Sequence, residues 1–233
     1  MTDKTPLLFM PGLLCDAALW RHQLASLGDL ADMTVTDMSQ DDTIDGMARR
    51  ALDAAPEKFA LCGLSMGGYT AQALMRIAPE RVTRLALLDT AAGPDTPERT
   101  AGRRELMAQA AGGDLAGVID HHMTAFIADD HQNDAELTAT IRASAMNVGA
   151  AAYQRQQEAI IARADSRPGL GAISCPTLVL CGRQDVLTPV AVHEEMASAI
   201  PDAKLVIVEN SGHLAPLEQP EAVTAVLRYW LQG

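Results

Sequence analysis

The chain has 233 residues, 48% of them hydrophobic and 21% charged, and its formal net charge is −12 at pH 7. This length suits a single core with room for an inserted subdomain. Nucleic acids bind clustered Lys and Arg, so an acidic chain whose few basic residues are scattered is not expected to bind them. The acidic excess instead favours solubility.

Neither a membrane segment nor a leader is predicted. No stretch approaches the roughly 20 apolar residues that span a bilayer, and the first six residues lack the basic and apolar segments of a secretory signal. We therefore expect a cytoplasmic protein with no membrane partner. The sequence does not specify an oligomeric state.

The four cysteines include no Cys-x-x-Cys pair, so neither a disulfide framework nor a zinc site is expected. Cys62 and Cys181 lie in apolar, strand-like runs and are interpreted as small hydrophobic residues. Cys15 follows the first predicted strand and is expected near the opening of the site argued below. A packing role is nevertheless the favoured interpretation of this cysteine.

Short apolar runs alternate with helical patterns at both ends of the chain. Six runs have the near-continuous apolar content of strands buried on both faces: Leu7–Met10, Met33–Thr36, Phe59–Cys62, Leu85–Leu88, Thr177–Cys181 and Leu205–Val208. Helical spacing predicts helices at Ala17–Leu27, Thr43–Ala54, Gly67–Ala78, Pro189–Ala199 and Glu221–Gln232. This alternation is typical of an α/β fold in which helices cover a mostly parallel sheet.

The alternation stops after the fourth predicted strand. Between residues 94 and 170 no strand-like run occurs, and helical spacing predicts helices at Arg103–Ala111, Leu115–Phe126, Asp134–Met146 and Ala150–Ala164. We interpret residues 94–170 as a helical cap inserted into a core of residues 1–93 and 171–233. Such a cap is expected over the carboxyl edge of the sheet, where open α/β sheets bind their ligands.

The segment Gly63-Leu64-Ser65-Met66-Gly67 joins the third predicted strand to the next helix. It contains Gly-x-Ser-x-Gly, a pattern that holds the serine in a strained strand-to-helix turn with its hydroxyl exposed. Gly63 and Gly67 give the turn room because neither carries a Cβ. The pattern therefore predicts Ser65 as a nucleophile.

A serine hydroxyl attacks poorly until a base takes its proton, so a histidine must lie within hydrogen-bond reach. His213 is the best of six candidates, because it follows the last predicted strand in a turn-forming loop near the carboxyl terminus. His22 and His193 lie in charged helical stretches and are expected to face the solvent.

The histidine in turn needs an acid that fixes its tautomer and stabilises the imidazolium. Asp185, just past the fifth predicted strand, is favoured for this role. Asp89, which also ends a strand, is the alternative. The chain order Ser, Asp, His is that of hydrolases with a nucleophile elbow.

Two backbone N–H groups are predicted to form an oxyanion hole. The N–H of Met66 lies at the start of the helix that follows the nucleophile. The second donor is expected in the loop after the first strand, where Gly12 permits a turn that directs the N–H of Leu13 inward. Leu14 is the alternative donor.

Together these motifs resemble the α/β-hydrolase family over nearly the whole chain. The resemblance is carried by Pro11-Gly12-Leu13, Gly63 to Gly68, Leu180 to Asp185 and Ser211-Gly212-His213, followed by Leu214 to Pro220. It implies Ser65 as nucleophile, His213 as base, Asp185 as acid, and a helical cap.

Family members usually have His-Gly where this chain has Pro11-Gly12. The chain also begins directly at the first core strand, so we expect about six strands without the family's amino-terminal hairpin.

A serine nucleophile in this setting predicts hydrolysis of small or medium carboxylic esters through an acyl-enzyme, a reaction that needs no cofactor. The same site would also suit a C–C bond hydrolase, a lactonase, an amidase, an acyltransferase, or a lyase that uses the serine as a base. A ligand-binding receptor with negligible turnover is the alternative outside the enzymes.

The predicted cap contains further polar residues. His121 and His122 are candidates for substrate contact, together with Leu14 from the core. The group formed by these histidines with Asp129-Asp130-His131 and Asp134 has no common metal-site spacing, so no metal is predicted.

Overall fold

The computed structural model describes residues 4–233. Residues 1–3, part of the stretch from which we predict no leader, lie outside the described residues. Six strands form one sheet in the order β2-β1-β3-β4-β5-β6, and every neighbouring pair is parallel. The strands are β1 Thr5–Met10, β2 Ala31–Val35, β3 Phe59–Leu64, β4 Val82–Leu88, β5 Thr177–Gly182 and β6 Lys204–Val208. The predicted parallel sheet of about six strands is confirmed.

Nine α-helices occur within residues 4–233. They are α1 Arg21–Ser26, α2 Ile44–Ala54, α3 Met66–Ile77, α4 Pro97–Ala111, α5 Leu115–Phe126, α6 Ala135–Ile161, α7 Val190–Ala199, α8 Ala215–Glu218 and α9 Pro220–Gln232. Short 3-10 helices occur at Ala17–Trp20, Pro79–Arg81, Asp129–His131 and Arg167–Ala172. The single helix predicted from Ala17 to Leu27 is therefore a 3-10 turn followed by α1.

The sheet is the centre of the hydrophobic core. Strands β3 and β5 are buried at every residue, as their continuous apolar sequences predict for strands covered on both faces. Helix α3 packs against β1, β3 and β4, while α7 packs against β5 and β6. Near the edge of the core, the ring of Phe9 stacks on that of Trp20 with centroids 4.4 Å apart.

Helices α4, α5 and α6 follow β4 and pack on one another. Each begins at a residue whose side chain accepts a backbone N–H from the first turn, namely Thr96, Asp114 and Asp134. Helix α6 is interrupted at Gly149, where φ is 78° and ψ is 165°. This break explains why the sequence pattern predicts two helices on either side of residues 147–149.

None of the helices within residues 4–233 combines the length and the apolar composition that crossing a membrane requires. The cytoplasmic location and the lack of a nucleic-acid partner stay predictions from the sequence.

Because all six strands are parallel, their carboxyl ends lie at one edge of the sheet. The loops that leave this edge carry Leu13 after β1, Ser65 after β3, Asp89 after β4, Asp185 after β5 and His213 after β6. Five separate stretches of sequence are thereby brought to one place.

Candidate active site

Ser65 lies in the turn between β3 and α3 with φ 53° and ψ −115°. This is the strained backbone that the sequence pattern predicts at a nucleophile turn. A Cβ at Gly63 would collide with the carbonyl group of Gly67, and a Cβ at Gly67 would collide with that of Met10. The loop after β4 also stabilises the turn, because the hydroxyl of Thr90 donates to the Ser65 carbonyl oxygen at 2.8 Å.

A continuous hydrogen-bonded chain runs from Ser65 to the buried acid. His213 Nε2 lies 2.8 Å from Ser65 Oγ, and its Nδ1 lies 2.8 Å from Asp185 Oδ2. His213 and Asp185 are 3% and 4% exposed, so the contact between them is shielded from water, while Ser65 is less buried. A neutral imidazole with its proton on Nδ1 would donate to Asp185 and accept the serine proton at Nε2.

The carboxylate of Asp185 is fixed by the residues that follow it. Its Oδ1 accepts the N–H groups of Leu187 and Thr188, both at 2.9 Å, and its Oδ2 accepts the Thr188 hydroxyl at 2.6 Å. Burial by itself raises the pKa of Asp185, but the charge of His213 and the hydrogen bonds from His213 and Thr188 outweigh it. The pKa therefore lies below its usual value, and the group is an anion at neutral pH.

Asp89, the alternative acid, is fully buried but bonds elsewhere. Its Oδ1 accepts the N–H of Gly182 at 2.9 Å and its Oδ2 accepts the N–H of Ala215 at 3.2 Å. Burial, reinforced by the negative charge of Asp185, raises the pKa of Asp89 well above its usual value. Of the two candidate acids, Asp185 is the one bonded to His213. Asp89 instead joins the end of β5 at Gly182 to the start of α8 at Ala215.

The N–H groups of Leu13 and Met66 have no acceptor among the hydrogen bonds of residues 4–233, whereas that of Leu14 donates to Gln156 Oε1 at 3.1 Å. The N–H of Leu14, the alternative donor to an oxyanion, is therefore already hydrogen-bonded. The residue of this loop with a left-handed backbone is Leu14, with φ 59°. Space at Gly12 is narrow, because a Cβ there would lie 3.1 Å from Leu64 Cδ2 and 3.3 Å from the Cβ of Ser65.

A cavity of about 520 Å³ opens beside Ser65 and His213. Its other walls come from the β1 and β5 loops and from α3 to α6, including Leu13, Tyr69, Arg103, His121, His122, Phe126, Ile160 and Thr188. Of the residues proposed for substrate contact, His121 and His122 line this cavity. Leu14 does not; it is buried against Leu19 and Leu214 in a separate small void of about 10 Å³.

His122 is held within a stack of rings that leads to the base. Its ring stacks on Phe126 with centroids 5.2 Å apart, and Phe126 stacks on His213 at 6.1 Å. Its Nε2 lies 3.0 Å from the hydroxyl of Tyr153. Burial, aided by the nearby charge of Arg103, lowers the pKa of His122 to about 4, so the ring is neutral near pH 7.

Glu218 organises the loop that carries His213, and sequence reasoning did not single it out. Its buried carboxylate accepts the N–H groups of Gly212 at 2.8 Å and Leu214 at 3.2 Å, on both sides of the base. The other oxygen accepts the N–H of Ala128 at 2.8 Å and lies 2.9 Å from His131 Nδ1. The only signal for it in the sequence is its position five residues after His213, within the stretch Leu214 to Pro220.

The prediction that His193 faces the solvent is wrong. His193 is 0% exposed, and its Nε2 accepts the N–H of Thr90 at 3.0 Å. Glutamates follow His193 in the sequence, but the buried face of α7 comprises His193 and Met196, which pack towards β5 and β6. His22, by contrast, has a side chain 32% exposed.

Cys15, His131 and Asp134 do not line the cavity beside Ser65. Cys15 lines a different cavity of about 270 Å³, and burial, reinforced by Asp16, raises the pKa of its thiol to about 12. Asp134 caps α6 through the N–H groups of its first turn. Within residues 4–233, no three His, Cys, Asp or Glu side chains are grouped as a metal site.

Folding stability should depend on pH through His193. Burial lowers the pKa of this histidine to about 4, against roughly 6.5 in the unfolded chain. Below pH 6.5 the unfolded state therefore binds a proton that the folded state does not, and the free energy of unfolding falls as pH falls. We expect His193 to account for a loss of about 2 kcal/mol between pH 7 and pH 5, measured by urea denaturation.

His193→Gln retains an acceptor for the Thr90 N–H but cannot titrate, so its stability should fall less steeply over this pH range. Met196→Leu is the control, because it changes the other buried residue of α7 without removing a titratable group and should keep the wild-type slope. Equal slopes for wild type and His193→Gln would contradict the assignment.

Comparison with known proteins defines the class. The sequence model of the family described as alpha/beta hydrolase fold matches residues 29–220. With the six-stranded parallel sheet and the matching solved structures, this match shows that the chain belongs to the α/β-hydrolase family of enzymes.

Three known proteins show which members of the family this chain is similar to. The 3-oxoadipate enol-lactonase 1 of Acinetobacter baylyi is 30% identical, with 92% of this chain and 84% of the relative covered. The pimeloyl-(acyl-carrier protein) methyl ester esterase of Nitrosomonas europaea is 29% identical over 77% of this chain and 74% of its own. A thermophilic esterase from Thermogutta terrifontis, solved with malate bound, superposes with a TM-score of 0.89 at 30% identity, covering 99% of this chain and 90% of that one. These relatives act on esters or lactones.

Proposed function

We propose that this protein is a serine hydrolase that cleaves carboxylic esters through an acyl-enzyme on Ser65. The observation that carries the proposal is the chain of two 2.8 Å contacts from Ser65 Oγ through His213 to Asp185, which opens on a 520 Å³ cavity. That volume is within the range of small-molecule sites.

The proposed reaction begins when His213 Nε2 takes the Ser65 proton as Oγ attacks the ester carbonyl carbon. The developing oxyanion accepts the N–H groups of Leu13 and Met66, which have no acceptor among the described residues. The tetrahedral intermediate then collapses, the C–O bond breaks, and His213 gives its proton to the departing alcohol. Water, deprotonated by His213, finally releases the acid from Ser65.

Asp185 supports the proton transfers without giving up its own charge. As an anion hydrogen-bonded to Nδ1, it favours the tautomer that leaves Nε2 free to accept, and it stabilises the imidazolium that forms. The hydrogen bonds from Leu187 and Thr188 keep this carboxylate oriented. The low pKa of Asp185 supports this assignment.

We further propose that residues 94–170 form the cap and residues 1–93 and 171–233 the core. In this assignment α4 and α5 supply one wall of the cavity, and His121 and His122 contact the substrate. His122 would act as a neutral hydrogen-bonding group, because its pKa of about 4 keeps it uncharged near pH 7.

A lactone is the second candidate substrate, because the relative that covers 92% of this chain is an enol-lactonase. The chemistry is the same, except that the leaving oxygen stays attached to the acyl group after the ring opens. The two candidates differ in the shape of the bound substrate, which the cavity walls must accommodate.

A panel of p-nitrophenyl esters from acetate to decanoate, with five- and six-membered lactones, tests the proposal. We expect Ser65-dependent hydrolysis with kcat/KM peaking at short or medium acyl chains. A higher kcat/KM for a lactone than for its open-chain methyl ester would favour the second candidate. If the purified protein hydrolyses none of these compounds, the ester and lactone functions are both excluded.

A further inference from the structure

The cavity beside Ser65 contains a guanidinium group that ester hydrolysis does not use. Arg103 of α4 lines this cavity, and its side chain is 20% exposed. Two other charged residues of the same helix, Arg99 and Glu105, are exposed and contribute opposite charges. A partly buried cation is notable in a protein with a net charge of −12.

Arg103 is positioned by two side chains and retains donors. Its Nε donates to Asp95, and its Nη1 donates to Gln157 Oε1 at 2.9 Å. Among the hydrogen bonds of residues 4–233, Nη2 has no acceptor. A guanidinium is planar and carries five N–H donors. The two bonds therefore fix the orientation of Arg103 and leave the N–H donors of Nη2 available to a ligand.

The charge of Arg103 is only partly neutralised within the protein. Asp95 is also bonded to Arg163 Nη2 at 2.8 Å, and the side chains of Asp95 and Arg163 are 1% and 4% exposed. Two guanidinium groups therefore share one carboxylate, so the three side chains together have a net charge of +1. Burial by itself raises the pKa of Asp95, but the bonds from Arg163 and Arg103 outweigh it and the pKa lies below its usual value.

The lining of the cavity includes one carboxylate, that of Glu105, which is exposed and is offset by the exposed Arg99 of the same helix. His122 is neutral near pH 7, since burial and the charge of Arg103 lower its pKa to about 4. The remaining walls include Leu106, Ala125, Phe126 and Ile160, which are apolar. A cation in such surroundings interacts more strongly with an anionic ligand than it would in water.

From this geometry we infer that the cavity takes substrates with a second, remote carboxylate, which pairs with Arg103 while the ester or lactone carbonyl lies at Ser65. This assignment of substrate class rests on the hydrolase function proposed above. The carbonyl oxygen of the reacting group already has its donors in Leu13 and Met66, so Arg103 is available for a different acceptor. Charge-assisted bonds from arginine to carboxylate are among the stronger hydrogen bonds in proteins.

Monomethyl adipate and the methyl ester of adipic monoamide form a matched pair of substrates, which differ only in the charge of the remote group. We expect wild type to favour the carboxylate by about 10- to 100-fold in kcat/KM, mainly through KM. Arg103→Met should remove this preference, because kcat/KM for the carboxylate substrate should fall by about 10- to 100-fold more than kcat/KM for the amide. Asp95 keeps its bond to Arg163 in this variant.

Arg104→Met is the matched control, because the neighbouring side chain on α4 is 56% exposed and pairs with Glu158 at the surface. It should leave the preference intact. Arg103→Lys, which keeps the charge without the planar fork, should retain part of the preference.

Binding provides a readout that does not depend on turnover. Adipate should bind Ser65→Ala measurably by calorimetry, and Arg103→Met added to this variant should weaken binding by about 10-fold or more. If wild type hydrolyses neutral esters but shows no preference for the carboxylate, the inference is wrong and the hydrolase function stands. If no ester is hydrolysed yet adipate binding depends on Arg103, the hydrolase function fails and the carboxylate site stands. Equal losses for both substrates in Arg103→Met would also overturn the inference.

Discussion

Replacing Ser65 with alanine should lower kcat for short p-nitrophenyl esters by about 10⁴- to 10⁶-fold, because no other group in the cavity can form the acyl-enzyme. The residual rate would come from the oxyanion donors and from substrate binding alone. Thermal unfolding should change little, since the Ser65 hydroxyl contributes only its contact with His213 to the described hydrogen bonds. Steady-state kinetics and calorimetry measure both quantities.

A covalent probe makes the Ser65 prediction more specific. A fluorophosphonate should add one adduct to wild type at Ser65, located by peptide mass spectrometry, and none to Ser65→Ala. Ser26→Ala is a suitable control, because Ser26 ends α1 and does not line the cavity. Full activity in Ser65→Ala, or unchanged labelling, would exclude Ser65 as the nucleophile.

Replacing Asp185 with asparagine should lower kcat by about 10³- to 10⁴-fold. The amide would donate to His213 Nδ1, which forces the imidazole proton onto Nε2 and removes the acceptor that Ser65 needs. The substituted side chain has nearly the same shape, so KM and the unfolding temperature should change much less than kcat. Steady-state kinetics with a short ester provide the test.

Asp89→Asn is the matched comparison, because Asp89 is an equally buried acid at the same sheet edge. Its oxygens accept the N–H groups of Gly182 and Ala215, and an asparagine can keep one of these bonds. We expect kcat to fall by about tenfold or less, with a loss of stability of about 1–3 kcal/mol from the unpaired N–H. The opposite ranking of the two variants would make Asp89 the catalytic acid.

The helical insertion contributes to positioning the proposed base. The N–H of His213 donates to the carbonyl oxygen of Phe126 at the end of α5 at 3.0 Å, and Glu218 joins the base loop to Ala128 just beyond it. Three consecutive N–H groups around the base are thus bound, two by one carboxylate and one by α5. The orientation of His213 therefore depends on Phe126 and Ala128 at the end of α5 as well as on Glu218.

The amino-acid sequence was sufficient to predict the fold class and to place Ser65, His213 and the two candidate acids Asp89 and Asp185 at the carboxyl edge of the sheet. Strand periodicity, glycine spacing and chain order are local signals, and a parallel sheet necessarily brings the ends of its strands to one edge. The six predicted strands agree with the observed ones to within a few residues, because continuous apolar runs are typical of buried parallel strands.

The hydrogen-bond partners of chemically equivalent groups could be read only from the three-dimensional structure. Asp185 bonds to His213 while Asp89 bonds to two backbone N–H groups, although both acids follow strands. The N–H of Leu14 donates to Gln156, a residue 142 positions away, whereas that of Leu13 has no acceptor among the described residues. These outcomes depend on contacts between distant segments, whose distances and directions no local pattern contains.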